Sequence, residues 1–192
     1  MERIKKGLLE SAEVKKKVAE TLSGEIYKAA QMIKDSLANG GKLILMGNGG
    51  SAGDAQHIAA ELVGRFKKER KALPAIALTT NTSTLTALGN DYEYAIVFSR
   101  QIEAFAHKGD VVVGITTSGN SENVVRALKL ANEIGAKTIG LVGNQGGKVK
   151  DIANLSIIVP SNDTARIQES HITIGHIICE IIEQDLAKEN KI

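Results

Sequence analysis

Residues 111–134 read VVVGITTSGNSENVVRALKLANEI, and this stretch decides the fold. Val111-Val112-Val113-Gly114-Ile115 is apolar throughout rather than at alternate positions, as in a strand covered on both faces. From Ser121 to Ile134 the apolar residues recur three and four apart, which places them on one stripe of a helix. Between the two lies Thr116-Thr117-Ser118-Gly119-Asn120-Ser121. Strand, small-residue loop and helix in that order make half of a βαβ unit.

The same succession recurs on both sides. Further strand-like runs are Lys42–Met46, Ala75–Leu78, Thr138–Val142 and Leu155–Val159. Helical spacing occupies Ala52–Val63 and Tyr94–Ala106, and single helical turns or small helices fit Ser83–Leu88 and Val149–Ala153. The alternation predicts an α/β domain with a parallel sheet wound right-handed. Long helices flank it. Apolar positions Val18, Leu22, Ile26, Ala29, Ile33 and Leu37 mark a helix over Glu10–Ala38, stopped by Asn39-Gly40-Gly41 and open to division at Ser23-Gly24. Ile167, Ile174, Ile178, Ile181 and Leu186 mark another over Ala165–Lys188. The expected organisation is one domain: a helical region 1–40, a sheet core 41–160 and a C-terminal helix 164–189. The apolar stripe of the first helix is wide enough to pack against a neighbouring subunit.

Composition excludes several classes of function. Lys and Arg number 24 against 22 Asp and Glu, which leaves no basic excess to grip a nucleic acid. Aromatics are 3%, so stacking platforms for bases are scarce. One cysteine cannot form an internal disulfide, which suits a reducing cytoplasm. No apolar run follows Met-Glu-Arg-Ile-Lys-Lys at the start, and none elsewhere is long enough to span a membrane.

The 19 glycines stand out against two prolines. Two glycine loops fall between a strand and a helix: Gly47-Asn48-Gly49-Gly50-Ser51 and Thr116–Ser121. A helix N-terminus presents unpaired N–H groups and the positive end of its dipole, so an anion binds there readily. The second loop adds the hydroxyls of Thr116, Thr117, Ser118 and Ser121 with no cation, a composition suited to a phosphate monoester. The plainer reading is a strand-to-helix turn with Ser121 as N-cap. Neither loop carries the Gly-Lys-Ser/Thr of a Walker A motif. Thr79-Thr80-Asn81 stands where a dinucleotide site needs an acidic residue.

His57 and Glu61 are four apart on the helix after the first loop and so share a face. Such a pair binds a metal, orients a proton transfer, or is an ordinary polar pair of a surface helix. The C-terminal helix carries Gln168, Glu169, His171 and His176. Gln168 and His176 are eight residues and about 80° apart, a loose alignment. His176 has isoleucine neighbours, which fits a hydrogen-bonded core histidine as well as a catalyst.

The segment Gly47–Leu62, together with Gly89-Asn90-Asp91-Tyr92, Thr116–Ser121 and Ala165-Arg166-Ile167-Gln168-Glu169, resembles the site motifs of the phosphoheptose isomerases. These belong to the sugar isomerase (SIS) family of phosphosugar-binding domains, and the similarity runs nearly end to end. It implies a five-stranded parallel sheet between helices and a homotetramer packed through the long helices. It also implies conversion of sedoheptulose 7-phosphate to D-glycero-D-manno-heptose 7-phosphate, the first step of heptose synthesis for lipopolysaccharide or other surface glycans. Carried over by motif, Asn48, Gly49, Gly50, Ser51, Glu61, Asn90, Asp91 and Gln168 would contact the sugar. Thr116, Thr117, Ser118 and Ser121 would hold the phosphate. Glu61 and His176 would be the proton-transfer pair, and His57, Glu61, Gln168 and His176 a zinc site. A related noncatalytic member, which associates with a replication initiator, typically lacks the residues matching Glu61 and His176. Both are present here, which favours the enzyme. The second loop departs from the common Ser-Thr-Ser by reading Thr-Thr-Ser, and the hydroxyl is kept.

Overall fold

The computed structural model describes residues 1–188, so Glu189, the last position of the expected C-terminal helix, lies outside the described residues. The chain runs α1 (Glu2–Ala38), β1 (Leu43–Gly47), α2 (Gly50–Val63), β2 (Ala75–Ala77) and α3 (Thr82–Asp91). A 3-10 turn (Tyr94–Ile96) leads into α4 (Ser99–Phe105), β3 (Val111–Thr116), α5 (Glu122–Ile134), β4 (Lys137–Val142), α6 (Val149–Ile152), β5 (Leu155–Ile158) and α7 (Thr164–Lys188). All four strand pairings are parallel, in the order β2-β1-β3-β4-β5.

The continuous apolar runs are explained by two cores. Leu43, Leu45, Val111, Val113, Ile115, Ile139 and Leu141 face one, shared with α1, α2 and α7. Ile44, Met46, Val112 and Val142 alternate to the other, shared with α4, α5 and α6. β1, β3 and β4 are thus buried on both faces by successive residues, while the edge strands β2 and β5 are largely half-buried.

Two expectations are corrected. The first helix is undivided at Ser23-Gly24. Ser23 Oγ donates back to the Ala19 carbonyl (2.7 Å), and Gly24 is exposed. A lone helical glycine costs about 1 kcal/mol, which burial of Val18, Ile26, Ala29, Ala30 and Ile33 outweighs. The stretch Tyr94–Ala106 is a 3-10 turn followed by a separate α4 rather than one helix.

The histidine in the core is His171, not His176. His171 is fully buried, and its Nε2 donates to the Val142 carbonyl at 3.1 Å. Nδ1 has no hydrogen-bond partner. Burial pulls its pKa down to about 4, against a smaller opposing effect of the Val142 bond. The folded value lies below the unfolded one, so this contribution to stability is full above pH 6.5 and is lost as pH falls through about 4. The gap corresponds to roughly 3 kcal/mol. Urea unfolding at pH 7 and pH 4.5 should show this loss in the natural chain and a flatter pH dependence in His171→Leu. Equal slopes in the two proteins would refute the assignment.

Candidate functional site

The order of strands places β2 on one side of β1 and β3 on the other, so the chain reverses direction between β1 and β3. Doubly wound sheets bind ligands outside the carboxyl ends of the strands at such a switch point. Gly47 pairs with Ile115 there, and both glycine loops leave the sheet side by side. Gly47 has no room for a Cβ, which would meet Ser51 main chain at 2.7 Å. Gly49 has φ +57° and opens α2 as its N-cap.

The second loop folds its hydroxyls together. Thr116 Oγ1 lies 2.9 Å from Ser121 Oγ and 3.4 Å from Ser118 Oγ. Ser121 holds the N-cap position of α5, as expected, but makes no side-chain cap bond because its hydroxyl turns to Thr116. The Thr117 carbonyl is fixed by Gly143 N–H (3.1 Å) and Asn144 Nδ2 (2.9 Å).

The two loops are joined by a residue that the sequence did not single out. Asn48 Nδ2 donates to Asn123 Oδ1 (3.0 Å), and Asn123 Nδ2 donates to Asn48 Oδ1 (2.9 Å). Asn123 is buried, and its Oδ1 also accepts the Val124 N–H at 3.0 Å. Tyr94 Oη donates to Asn48 Oδ1 at 3.3 Å. Ser51 is buried at the start of α2. Gln168, on α7, lies against Gly50: a Cβ there would meet its Nε2 at 2.5 Å. Asn90 and Asp91 end α3, where Asn90 Nδ2 donates to Asp91 Oδ1 at 2.8 Å.

A second group forms where α2 crosses α7. Gly175 admits Ile58 so closely that a Cβ would lie 2.6 Å from Ile58 Cδ1. This approach brings the adjoining residues, His57 before Ile58 and His176 after Gly175, within bonding distance: their Nε2 atoms are 3.0 Å apart. Glu61 Oε1 is 3.1 Å from His57 Nε2. Ligand atoms of His57, Glu61 and His176 all lie within 4.8 Å of one another, so the three could hold a metal ion. Adjacent donors of a tetrahedral site with bonds of about 2.0 Å are about 3.3 Å apart, and the two separations from His57 Nε2 are close to that. Two facing imidazole Nε2 atoms also need a shared proton or a cation between them. The donor set fits zinc.

Asp54, one turn before His57, has a buried Oδ2 with no partner. Burial raises its pKa, partly offset by His57. Of the expected metal set, Gln168 stands apart: eight residues before His176 is about 12 Å along the helix.

A doubly wound α/β sheet thus carries glycine- and hydroxyl-rich loops at its switch point and a His/Glu/His group on the adjoining helices. The chain belongs to the SIS domain family, which matches residues 8–143. It is 59% identical over 184 residues to a phosphoheptose isomerase of Aquifex aeolicus, covering 96% of each chain. It is 62% identical over 165 residues to a phosphoheptose isomerase of Geobacter sulfurreducens, covering 86% of this chain and 87% of the relative. The solved structure of phosphoheptose isomerase GmhA from Neisseria gonorrhoeae superposes with a TM-score of 0.91 at 44% identity, over 95% of this chain and 98% of that one. Among the described residues no helix is long and apolar enough to cross a membrane.

Proposed function

We infer that the chain is a phosphoheptose isomerase, converting sedoheptulose 7-phosphate to D-glycero-D-manno-heptose 7-phosphate as the first step of heptose synthesis. The observation that carries this is a carboxylate and two imidazoles gathered across α2 and α7 in a chain whose β3–α5 loop clusters hydroxyls suited to a phosphate. The reaction moves a carbonyl from C2 to C1: a proton leaves C1, a proton enters C2, and the hydroxyl hydrogen passes from O1 to O2. Glu61 is the base at C1 and His176 shuttles the hydroxyl protons. Thr116, Thr117, Ser118 and Ser121 hold the phosphate, with Asn48, Gly49, Gly50, Ser51, Asn90, Asp91 and Gln168 along the sugar. A zinc ion held by His57, Glu61 and His176 would supply Lewis-acid polarisation of the sugar oxygens.

The reading includes an oligomer, a tetramer as in the family resemblance. Gly50 to Glu61 spans eleven residues, about 16 Å of helix. A seven-carbon phosphate reaches only about 10 Å, given bonds of about 1.5 Å. In this reading the cradle and the acid–base group that serve one substrate come from different copies. Gln168 joins a metal set on the same terms, from a second copy. An apolar groove between α1 and α7, lined by Val18, Ile26, Tyr27, Ile174, Ile177 and Ile181, offers the surface. Ile177 is 41% and Tyr27 54% exposed on it. We treat the chain as one SIS unit with the boundaries 1–40, 41–160 and 164 onward, located in the cytoplasm and needing neither nucleic acid nor membrane.

Chelation tests the metal. Protein stripped with a chelator should lose turnover of sedoheptulose 7-phosphate and recover it with added zinc, and metal analysis should show about one ion per chain. Full activity in metal-free protein would make the ion dispensable. Binding of an initiator protein with no turnover would instead favour the noncatalytic reading.

A further inference from the structure

We propose that Glu183 and Arg70 are positioning residues for His176, acting through Phe66. The proposal rests on the reading of His176 as an acid–base group. Glu183 lies seven residues after His176 on α7, two turns along and about 20° away, so both project from one side. Its carboxylate gathers the loop that follows α2. Oε1 accepts the Phe66 N–H (3.2 Å) and Arg70 Nε (2.9 Å), and Oε2 accepts the N–H groups of Lys67 and Lys68 (2.9 Å each). Held in this way, the Phe66 ring stacks on the His176 imidazole with centroids 5.6 Å apart and planes 29° apart. Lys67 steadies the ring from outside, with Nζ 5.5 Å from its centroid and 2.8 Å from Glu180 Oε2.

Arg70 extends the same clamp to the other reacting group. Its Nη2 donates to the Glu61 carbonyl (2.8 Å), and Nη1 to the carbonyls of Leu62 (2.8 Å), Lys71 (3.1 Å) and Gly64 (3.3 Å). The end of α2 that carries Glu61 and the ring that packs on His176 are thus tied to one carboxylate.

The side chains of Arg70 and Glu183 are 1% and 2% exposed. A pair so dry carries a large desolvation cost, and apolar residues of like volume often serve stability as well. What an apolar pair cannot supply is the directional gathering of three loop N–H groups and the C-terminal carbonyls of α2. Burial pushes the Glu183 carboxyl up, but its backbone bonds and Arg70 outweigh this and hold it below the usual range. It stays ionised at neutral pH, and the clamp is closed during turnover.

Histidine labelled with carbon-13 at Cε1 gives one signal for each of the four histidines of the full chain, and His176→Asn identifies the one that senses the Phe66 ring. Phe66→Leu should move the His176 signal and lower kcat about tenfold with KM within about twofold. Phe66→Tyr, which keeps the stack, should restore both. Glu183→Gln should move the same signal and lower kcat although residue 66 is unchanged. A folded Glu183→Gln protein with an unmoved His176 signal would overturn the proposal, whether or not kcat fell. If Glu183→Gln does not fold, the Phe66 pair decides: equal kcat in the Leu and Tyr variants overturns it. Absence of isomerisation in the natural chain would reject the functional reading, and the signal shifts would still test the clamp.

Discussion

Glu61→Gln keeps the fold and loses isomerisation by a factor of roughly 10²–10⁴ in kcat, the range of a general base. The substitution preserves the shape and length of the side chain. It also preserves the main-chain bond from Arg70 Nη2 to the Glu61 carbonyl, so α2 ends as before. An amide cannot take the C1 proton and is a poorer ligand than a carboxylate. The side chain of Glu61 is 25% exposed, so an amide there leaves no buried unpaired charge and stability should change little. Thermal unfolding and phosphosugar binding measured beside turnover separate the outcomes. Natural turnover in the folded variant would remove Glu61 from the chemistry.

Gly119→Ala should weaken both the protein and its hold on phosphate. Gly119 has φ +68°, where a side chain costs about 1–2 kcal/mol. Its Cβ would lie 2.0 Å from the Gly146 carbonyl oxygen and 2.8 Å from Gly147 N, main-chain atoms that cannot swing aside. Gly147 is equally confined, with a Cβ position 2.6 Å from the Ser118 carbonyl. The two loops are also stitched by Val149 N–H to the Gly119 carbonyl (3.0 Å) and Lys148 N–H to Asn120 Oδ1 (3.1 Å). Admitting a methyl group must push them apart, with overpacking adding roughly 1–3 kcal/mol. Ser118 then leaves the hydroxyl group around Thr116. The expected result is a loss of about 2–4 kcal/mol in urea unfolding and a KM raised about tenfold or more. Unchanged KM and stability would show that neither the left-handed turn nor the contact with Gly146 matters.

The strands and glycine loops were readable because their signals are local. Apolar runs bounded by small residues define β1, β3 and their turns, and a glycine or hydroxyl beside a helix start is visible without tertiary knowledge. Pairings across the chain were hidden. Asn123 reads as an ordinary polar residue of a first helical turn, yet its partner Asn48 is 75 residues away. Arg70 and Glu183 read as solvated charges and are the driest ion pair among the described residues. Two features of α7 are local all the same. His171 follows Ile167 by four and precedes Ile174 by three, which puts it on the buried stripe of α7 and leaves His176 at the stripe's edge. Gly175, in the middle of a helix where glycine costs about 1 kcal/mol, marks the crossing with Ile58 that brings the histidines together.

The most direct test is to incubate the protein with sedoheptulose 7-phosphate in deuterated water and follow carbon-bound hydrogen by NMR. Removal of the C1 proton by Glu61 through an enediol predicts deuterium at C2 of the heptose 7-phosphate product and at C1 of recovered substrate. Both signals should vanish in Glu61→Gln. Product formed with no solvent deuterium at either carbon, or no product at all from folded, zinc-loaded protein, would contradict the account.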